Sequence, residues 1–356
     1  MPRVVIAAGG TAGHVVPALA VADALRSRGA EVQFVGGERA EAELVPAAGY
    51  TLHPLKVVGI DRSNSLRAVR ALGLAAGAFG ASVRLLRSLK PDAVMGGGGY
   101  VAGPVGLAAA MLRKPLVLTE ADSHLGISNR VLAPLARRVF LAFPLEGRGE
   151  PRFLVSGRPL PAGTGAADRL EARRRFGIGV EERCLLVFGG SIGARSLNEA
   201  SVEAFGKVAP CAVLHACGRR DHEALAARLH ELGAPPHYRL LPYIEPFADA
   251  LAAADLTAAR AGGSVLEVAA AGLPAILVPY PHASADHQTR NARLMEAAGA
   301  AVVVPDDELD AVRLSREVGE LLSSPAKLAA MSDAARRASR PDAAERIADE
   351  LLRLAG

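Results

Sequence analysis

Tryptophan is absent and cysteine is scarce: Cys184, Cys211 and Cys217 are an odd set with no CxxC pair and no Cys/His ligand spacing. That usage excludes a disulfide scaffold and indicates no metal site; reduced, mostly buried thiols in a cytoplasmic chain are expected. Long apolar runs are missing as well. The first, residues 4–8, ends at Gly9 and Gly10, too short for a signal-peptide core. No window reaches the ~18 uninterrupted apolar residues of a membrane span, so neither export nor a bilayer crossing is expected. Charge excess is slight, +4 from 41 basic and 37 acidic residues, and points to no nucleic-acid partner. What is there is a chain of 356 residues, 50% hydrophobic and 22% charged, with 37 Gly and 23 Pro. That composition belongs to a folded α/β protein, and the length leaves room for two domains at roughly 100 to 200 residues each.

Short apolar runs alternate with longer Ala/Leu/Arg stretches of helical period: RVVIAA, EVQFVG, DAVMG, PLVLTE and RVFLAF, then CLLVFGG, AVLHAC, DLTAAR, PAILVPY and AVVVP. This is the pattern of βα units building a parallel sheet covered on both faces. The Gly/Pro-rich segment SGRPLPAGTGAA interrupts it and reads as a linker. The expected division is a first domain over 1–157, a linker over 158–167, a second domain over 168–338, and a terminal helix over 339–356 with the first domain as its candidate host. Each half opens with a strand running into paired glycines and a helix, VVIAAGGTAGH and LLVFGGSIGAR. The fold class predicted is therefore α/β, two Rossmann-like, doubly wound parallel-sheet domains facing a central cleft at the carboxyl ends of their strands.

In the first half, GGTAGH (9–14) joins a strand to a helix, where glycines let a ligand approach the backbone and free N–H groups await a polar group. His14 lies at its mouth, with an unperturbed pKa of about 6.5 suited to proton removal; a helix cap without chemistry is the alternative. The run MGGGGYVAGP (95–104) brings four glycines and Tyr100 to a second such loop, for close approach or for flexibility. Glu120 and Asp122 follow a strand end, to bind sugar hydroxyls, to assist proton transfer, or to sit solvated.

In the second half, GGSIGAR (189–195) offers N–H groups, the Ser191 hydroxyl and Arg195 to a pyrophosphate. RAGGSVLE (260–267) starts another helix with Gly263 and Ser264. Glu267 either accepts from ribose hydroxyls or closes a capping box with Ser264. DHQTRN (286–291) sets His287, Gln288 and Asn291 at a further helix start, as sugar readers.

Taken together, GGTAGHVVPALAVADAL, MGGGGYVAGP, LTEAD, GGSIGARSLN, RAGGSVLEVAAAGLPAILVP and DHQTRNA resemble, in order and spacing, the MurG family of peptidoglycan N-acetylglucosaminyltransferases. These are family 28 glycosyltransferases of the GT-B fold, and the likeness covers essentially the whole chain. It implies inverting transfer of GlcNAc from UDP-GlcNAc to the C4 hydroxyl of MurNAc in undecaprenyl-pyrophosphoryl-MurNAc-pentapeptide (lipid I), giving lipid II, without a metal or other cofactor. The resemblance puts Ile244 at the uracil, Glu267 at the ribose, Ser191 with Gly263 and Ser264 at the pyrophosphate, and Gln288, with His287 and Asn291, at the GlcNAc. Thr11, Ala12, Gly13 and His14 would face the acceptor, with His14 the preferred general base and Glu120 the runner-up. Tyr100 and Asp122 are further candidate substrate-binding residues.

The chain departs from the family pattern in places. Pro161 stands where the linker commonly ends in a donor-contacting Arg, which leaves Arg158 to take that role if any residue does. TEAD replaces HEQN, Ile192 replaces a glutamine, and the stretch before Glu267 is one residue shorter. Residues 66–90 are Ala/Leu-rich and flanked by Arg67, Arg70, Arg84, Arg87 and Lys90. They read either as core helices or as an interfacial segment; the family favours the second, at the anionic cytoplasmic face of the cell membrane. A UDP-GlcNAc 2-epimerase, or another UDP-sugar-dependent GT-B transferase, is the rival enzyme of like architecture.

Overall fold

The structure, a computed structural model, describes residues 1–56, 65–189, 194–283 and 286–356, with backbone only for 65–75. It comprises two compact units, Met1–Ala162 with Arg340–Gly356, and Gly163–Ser339.

The first unit runs β1 (Arg3–Ala7), α1 (Ala12–Ser27), β2 (Glu31–Gly36), α2 (Ala40–Ala47), β3 (Thr51–Pro54), α3 (Ser65–Leu89), β4 (Ala93–Gly96), α4 (Gly99–Met111), β5 (Leu116–Glu120), α5 (Ile127–Leu132), β6 (Arg138–Leu141) and β7 (Phe153–Val155), and ends with α14 (Ala343–Ala355). Its seven strands lie in the order β3-β2-β1-β4-β5-β6-β7. Their pairings are parallel throughout. Apolar on both faces, β1 and β4 are buried from Val4 to Ala7 and from Ala93 to Gly96, as a sheet covered by helices requires. Strand order reverses between them, so the loops after β1 and β4 open side by side at their carboxyl ends, the usual ligand position of such sheets. There Gly97 N donates to Ala7 O at 2.8 Å.

Helix α14 has alternating apolar and charged faces. Ile347 and Leu351 are fully buried in the core formed by Val4, Ile6, Val21 and Leu25, and packing against α1 fixes the terminal segment in this unit. Burial of each such side chain is worth about 1.5 to 3 kcal/mol. Arg28 pairs with Asp349 at 2.7 Å and Arg138 with Glu350 at 3.2 Å along its rim.

The second unit runs α6 (Arg169–Arg175), β8 (Cys184–Phe188), α7 (Arg195–Phe205), β9 (Ala212–Ala216), α8 (His222–Glu231), β10 (Tyr238–Leu241), α9 (Phe247–Ala253), β11 (Leu256–Ala259), α10 (Val265–Ala270), β12 (Ala275–Leu277), α11 (His287–Ala297), β13 (Ala301–Val303), α12 (Ala311–Leu322) and α13 (Pro325–Ala338). Its six parallel strands take the order β10-β9-β8-β11-β12-β13, with the reversal between β8 and β11. Arg173 is almost wholly buried because every arm of its guanidinium has an acceptor. It donates to the carbonyls of Ala253, Gly179, Val180 and Glu182 and pairs with Asp255 at 2.8 Å. Arg169 and Arg183 reach the same carboxylate, which locks α6 to the start of β11. The three cysteines are buried free thiols.

Candidate functional site

In the first unit the loop after β1 is shaped by its glycines. Gly10 has φ +108°, a conformation that suits glycine, and the chain then turns so that His14 N donates to Thr11 O at 3.0 Å. The Thr11 hydroxyl lies 3.3 Å from His14 Nδ1. The imidazole rests on the loop after β4: a Cβ at Gly98, whose φ is +91°, would come within 2.6 Å of His14 Cδ2. The two glycine loops therefore make one surface, with the ring held between them. Burial pulls the His14 pKa below its ordinary value; Asp122 and Glu41 oppose that shift and Arg158 reinforces it. The ring is consequently neutral at pH 7. When Nδ1–H donates to Thr11, Nε2 carries the lone pair that a general base needs.

Glu120 ends β5 and is buried, and its carboxylate organises the loop beyond it. Oε1 accepts from Asp122 N at 3.3 Å; Oε2 accepts from Gly126 N at 2.8 Å and Asn129 Nδ2 at 3.0 Å. Burial raises its pKa, with these donors acting the other way. Gly13, Thr119 and Glu120 share the lining of a narrow cavity of about 10 Å³, close to the room one water needs. Asp122 is half-buried and near enough to act on His14. The buried guanidinium of Arg158 donates to Gly13 O at 3.0 Å, which ties it to the loop carrying His14.

Two residues of this region carry no signal in the sequence. Asn129 bridges Thr119 O at 2.9 Å and Glu120, and its own Oδ1 is buried with no partner among the described residues. Glu41, on α2, accepts the Tyr100 hydroxyl at 2.8 Å. Tyr100 is thus joined to a buried carboxylate, and burial followed by that bond pushes its pKa up to about 12.

In the second unit Ser191 lies outside the described residues, so its assignment is not placed. Gly263 and Ser264 precede α10, which is only 6 residues long. Ser264 makes no side-chain cap hydrogen bond, so its half of the capping box is not formed. Glu267 is half-buried and near the turn at 243–245: burial, Glu245 and Glu267 together raise the Tyr243 pKa. Ile244, in that turn, is buried. Gln288 Oε1 accepts from Tyr280 N at 2.9 Å, while its Nε2 faces Gly262. His287 opens α11 half-buried beside it. Asn291 is wholly buried and its Nδ2 donates to Ala261 O at 3.1 Å, while its Oδ1 is buried with no partner among the described residues. Arg260, also unassigned by sequence, pairs with Asp306 at 2.6 Å and donates to Ser196 Oγ at 2.7 Å, joining β11 to α7.

A larger cavity of about 390 Å³ opens in the second unit between Arg169, Arg183, Asp255, Pro274 and Ser332. It sits at the amino ends of β8, β11 and β12. Its cations answer Asp255 and, through Arg169, the carbonyls of Ala252 and Ala254 at the end of α9, a structural arrangement. Among the described residues no three His, Cys, Asp or Glu side chains group as metal ligands.

The Glycosyltransferase family 28 N-terminal domain matches residues 4–141, and the Glycosyltransferase family 28 C-terminal domain matches residues 184–347. The UDP-N-acetylglucosamine--N-acetylmuramyl-(pentapeptide) pyrophosphoryl-undecaprenol N-acetylglucosamine transferase of Moorella thermoacetica is 43% identical over 99% of this chain and 98% of that protein. The crystal structure of Acinetobacter baumannii MurG superposes with a TM-score of 0.80 at 32% identity, covering 99% of this chain and 100% of that one. The UDP-GlcNAc 2-epimerase of Neisseria meningitidis, solved bound to UDP-GlcNAc, superposes with a TM-score of 0.71 over 99% of this chain and 100% of that one; at 14% identity it shares the fold alone. Two parallel-sheet α/β domains with these neighbours are the GT-B fold. The chain belongs to glycosyltransferase family 28 and, within it, to the MurG family.

Proposed function

We propose that the chain transfers GlcNAc from UDP-GlcNAc to the C4 hydroxyl of MurNAc in lipid I, with inversion, giving lipid II. The observation that carries the reading, beside the family, is the neutral imidazole of His14 held on two glycine loops at the carboxyl ends of β1 and β4. His14 Nε2 takes the proton of the acceptor hydroxyl as its oxygen bonds to the anomeric carbon. The bond from that carbon to UDP breaks, and UDP leaves with the electron pair. Glu120 is the weaker candidate for the base because both its oxygens already hold donors. Thr11, Ala12, Gly13 and Asp122 border the acceptor sugar, and Arg158 and Tyr100 support that loop from behind.

On the second unit the N–H groups at Gly263 and Ser264, with Ser191, receive the pyrophosphate. Such donors favour negative charge that grows in the transition state, the part a metal plays elsewhere. Ile244 packs on the uracil, Glu267 accepts from the ribose, and Gln288 and His287 read the GlcNAc, with Asn291 holding the loop beneath them. The test is transfer of labelled GlcNAc from UDP-GlcNAc to a lipid I analogue; conversion of UDP-GlcNAc to UDP-ManNAc without acceptor would favour the epimerase instead.

The acceptor's lipid anchor calls for a peripheral position on the cytoplasmic face of the membrane, and the first unit has a suitable surface. No described helix is long and apolar enough to cross a bilayer. Helix α4 packs on α3 and α5 on α4, and this layer leaves Leu107, Met111, Ile127, Val131 and Leu135 exposed. Arg84, Arg87 and Lys90 on and after α3, with Arg130 on α5, supply positive charge for an anionic leaflet. Flotation with phosphatidylglycerol vesicles, lost on Ile127→Glu and Val131→Glu, tests it.

A further inference from the structure

Glu41 is a wholly buried carboxylate with no ion-pair partner among the described residues. Three neutral donors from three separate segments hold it. Gly10 N, in the loop after β1, reaches Oε2 at 2.8 Å; Gly37 N, after β2, and the Tyr100 hydroxyl, in the first turn of α4, each reach Oε1 at 2.8 Å. A charge removed from water persists only where its oxygens are satisfied in this way. The surrounding glycines are packed onto it. A Cβ at Gly9 would stand 2.7 Å from Glu41 Oε1, one at Gly36 2.8 Å from Glu41 Cγ, and one at Gly37 2.9 Å from Oε1 as well as against the Tyr100 hydroxyl. These glycines therefore admit the carboxylate, and not only a ligand. Burial would raise the Glu41 pKa, but the hydrogen bonds from Gly10, from its own backbone N–H, from Tyr100 and from Gly37 outweigh it and the group stays ionised.

We propose that Glu41 is a positioning residue for the acceptor half-reaction: it clamps Gly10 and Tyr100 so that the loop from Gly10 to His14 and the loop from Gly97 to Tyr100 hold the imidazole in its working place. This rests on the transfer reading given above. Glu41 touches no reacting atom, so its effect is confined to turnover of the acceptor and leaves the donor side alone. In Glu41→Gln the carboxamide keeps the shape but sets N–H against the N–H of Gly10, releasing the loop. Gly37→Ala pushes a methyl into the same carboxylate and phenol without altering any charge.

The test is steady-state transfer by the full chain to a lipid I analogue, with UDP binding measured separately by calorimetry. Glu41→Gln is expected to lower kcat at least tenfold, with donor KM and UDP Kd within twofold of the parent, and Gly37→Ala to show the same split. Amide exchange over residues 9–14 is expected to quicken in Glu41→Gln and to be unchanged over the second unit. Parent-like kcat in Glu41→Gln, UDP affinity falling in step with kcat, or unchanged exchange over residues 9–14 overturns the proposal. Failure of the parent chain itself to transfer GlcNAc is a different result: it overturns the transfer reading, and this inference with it.

Discussion

The imidazole of His14 lies on Gly98, close enough that a Cβ there would come within 2.6 Å of His14 Cδ2. One loop carries the imidazole and the other provides its floor, and the floor fits because it has no side chain. Gly98→Ala tests this. The φ of +91° makes any L side chain strained, at about 1 to 2 kcal/mol, and the methyl displaces the ring. A kcat at least tenfold lower, with UDP affinity unchanged, is the expected outcome; parent-like kcat would separate the ring's position from the chemistry.

His14→Ala is expected to lower kcat by about 10² to 10⁴ while donor affinity changes little. The pH profile carries the sign. The pKa of His14 is depressed in the folded chain by burial, so the ring loses its proton below its ordinary value near 6.5. The acid limb of kcat/KM is therefore expected below about pH 6.5, with a plateau above it. A limb centred above pH 7 would assign it to another group.

A second histidine gives a stability prediction. His215 is wholly buried in β9, with Nδ1 2.8 Å from the Tyr238 hydroxyl and Nε2 3.0 Å from Asn198 Oδ1. Burial pulls its pKa down to about 3. The unfolded chain binds the proton more readily, so this contribution to stability is complete above about pH 6.5 and is lost as pH falls toward 3. The loss amounts to several kcal/mol, read as a falling urea midpoint. His215→Gln, which keeps a donor and an acceptor but does not titrate, is expected to flatten that slope; an unchanged slope would contradict the assignment.

Glu267→Ala is expected to weaken UDP binding by roughly 1 to 3 kcal/mol if its carboxylate holds two ribose hydroxyls. Calorimetry reads this directly. Parent-like affinity would leave Glu267 a structural neighbour of the turn at 243–245.

Asp255 is shared by Arg169, Arg173 and Arg183 at 2.8, 2.8 and 3.2 Å. Asp255→Asn leaves the buried Arg173 without its countercharge and is expected to lower stability by about 3 to 5 kcal/mol, with UDP affinity unchanged. A melting temperature equal to the parent's would mean the cluster is solvated.

Legibility followed distance along the chain. Strands such as RVVIA and CLLVF are continuous apolar runs because both faces of a parallel sheet are covered, and their glycine-terminated ends are visible as text. The positions of His14, just after β1, and Glu120, the last residue of β5, are legible for the same reason. Glu41 was not, because its partner Tyr100 stands 59 positions away, and Arg173 lies 82 from Asp255. Asn291 shows the converse. Its helix-start position is readable, but the Ala261 carbonyl that turns its amide inward belongs to a different βα loop. The resemblance to MurG implies roles that spacing alone leaves open, at Ser264 and Glu267 above all.

One measurement bears most directly on the whole: incubation of the purified chain with labelled UDP-GlcNAc and a lipid I analogue, in parallel for the parent and His14→Ala. Disaccharide product and released UDP in equal amounts from the parent, with the variant down by two orders of magnitude or more, is the expected result. Label remaining on the nucleotide, or a variant as active as the parent, would contradict transfer by a His14 base.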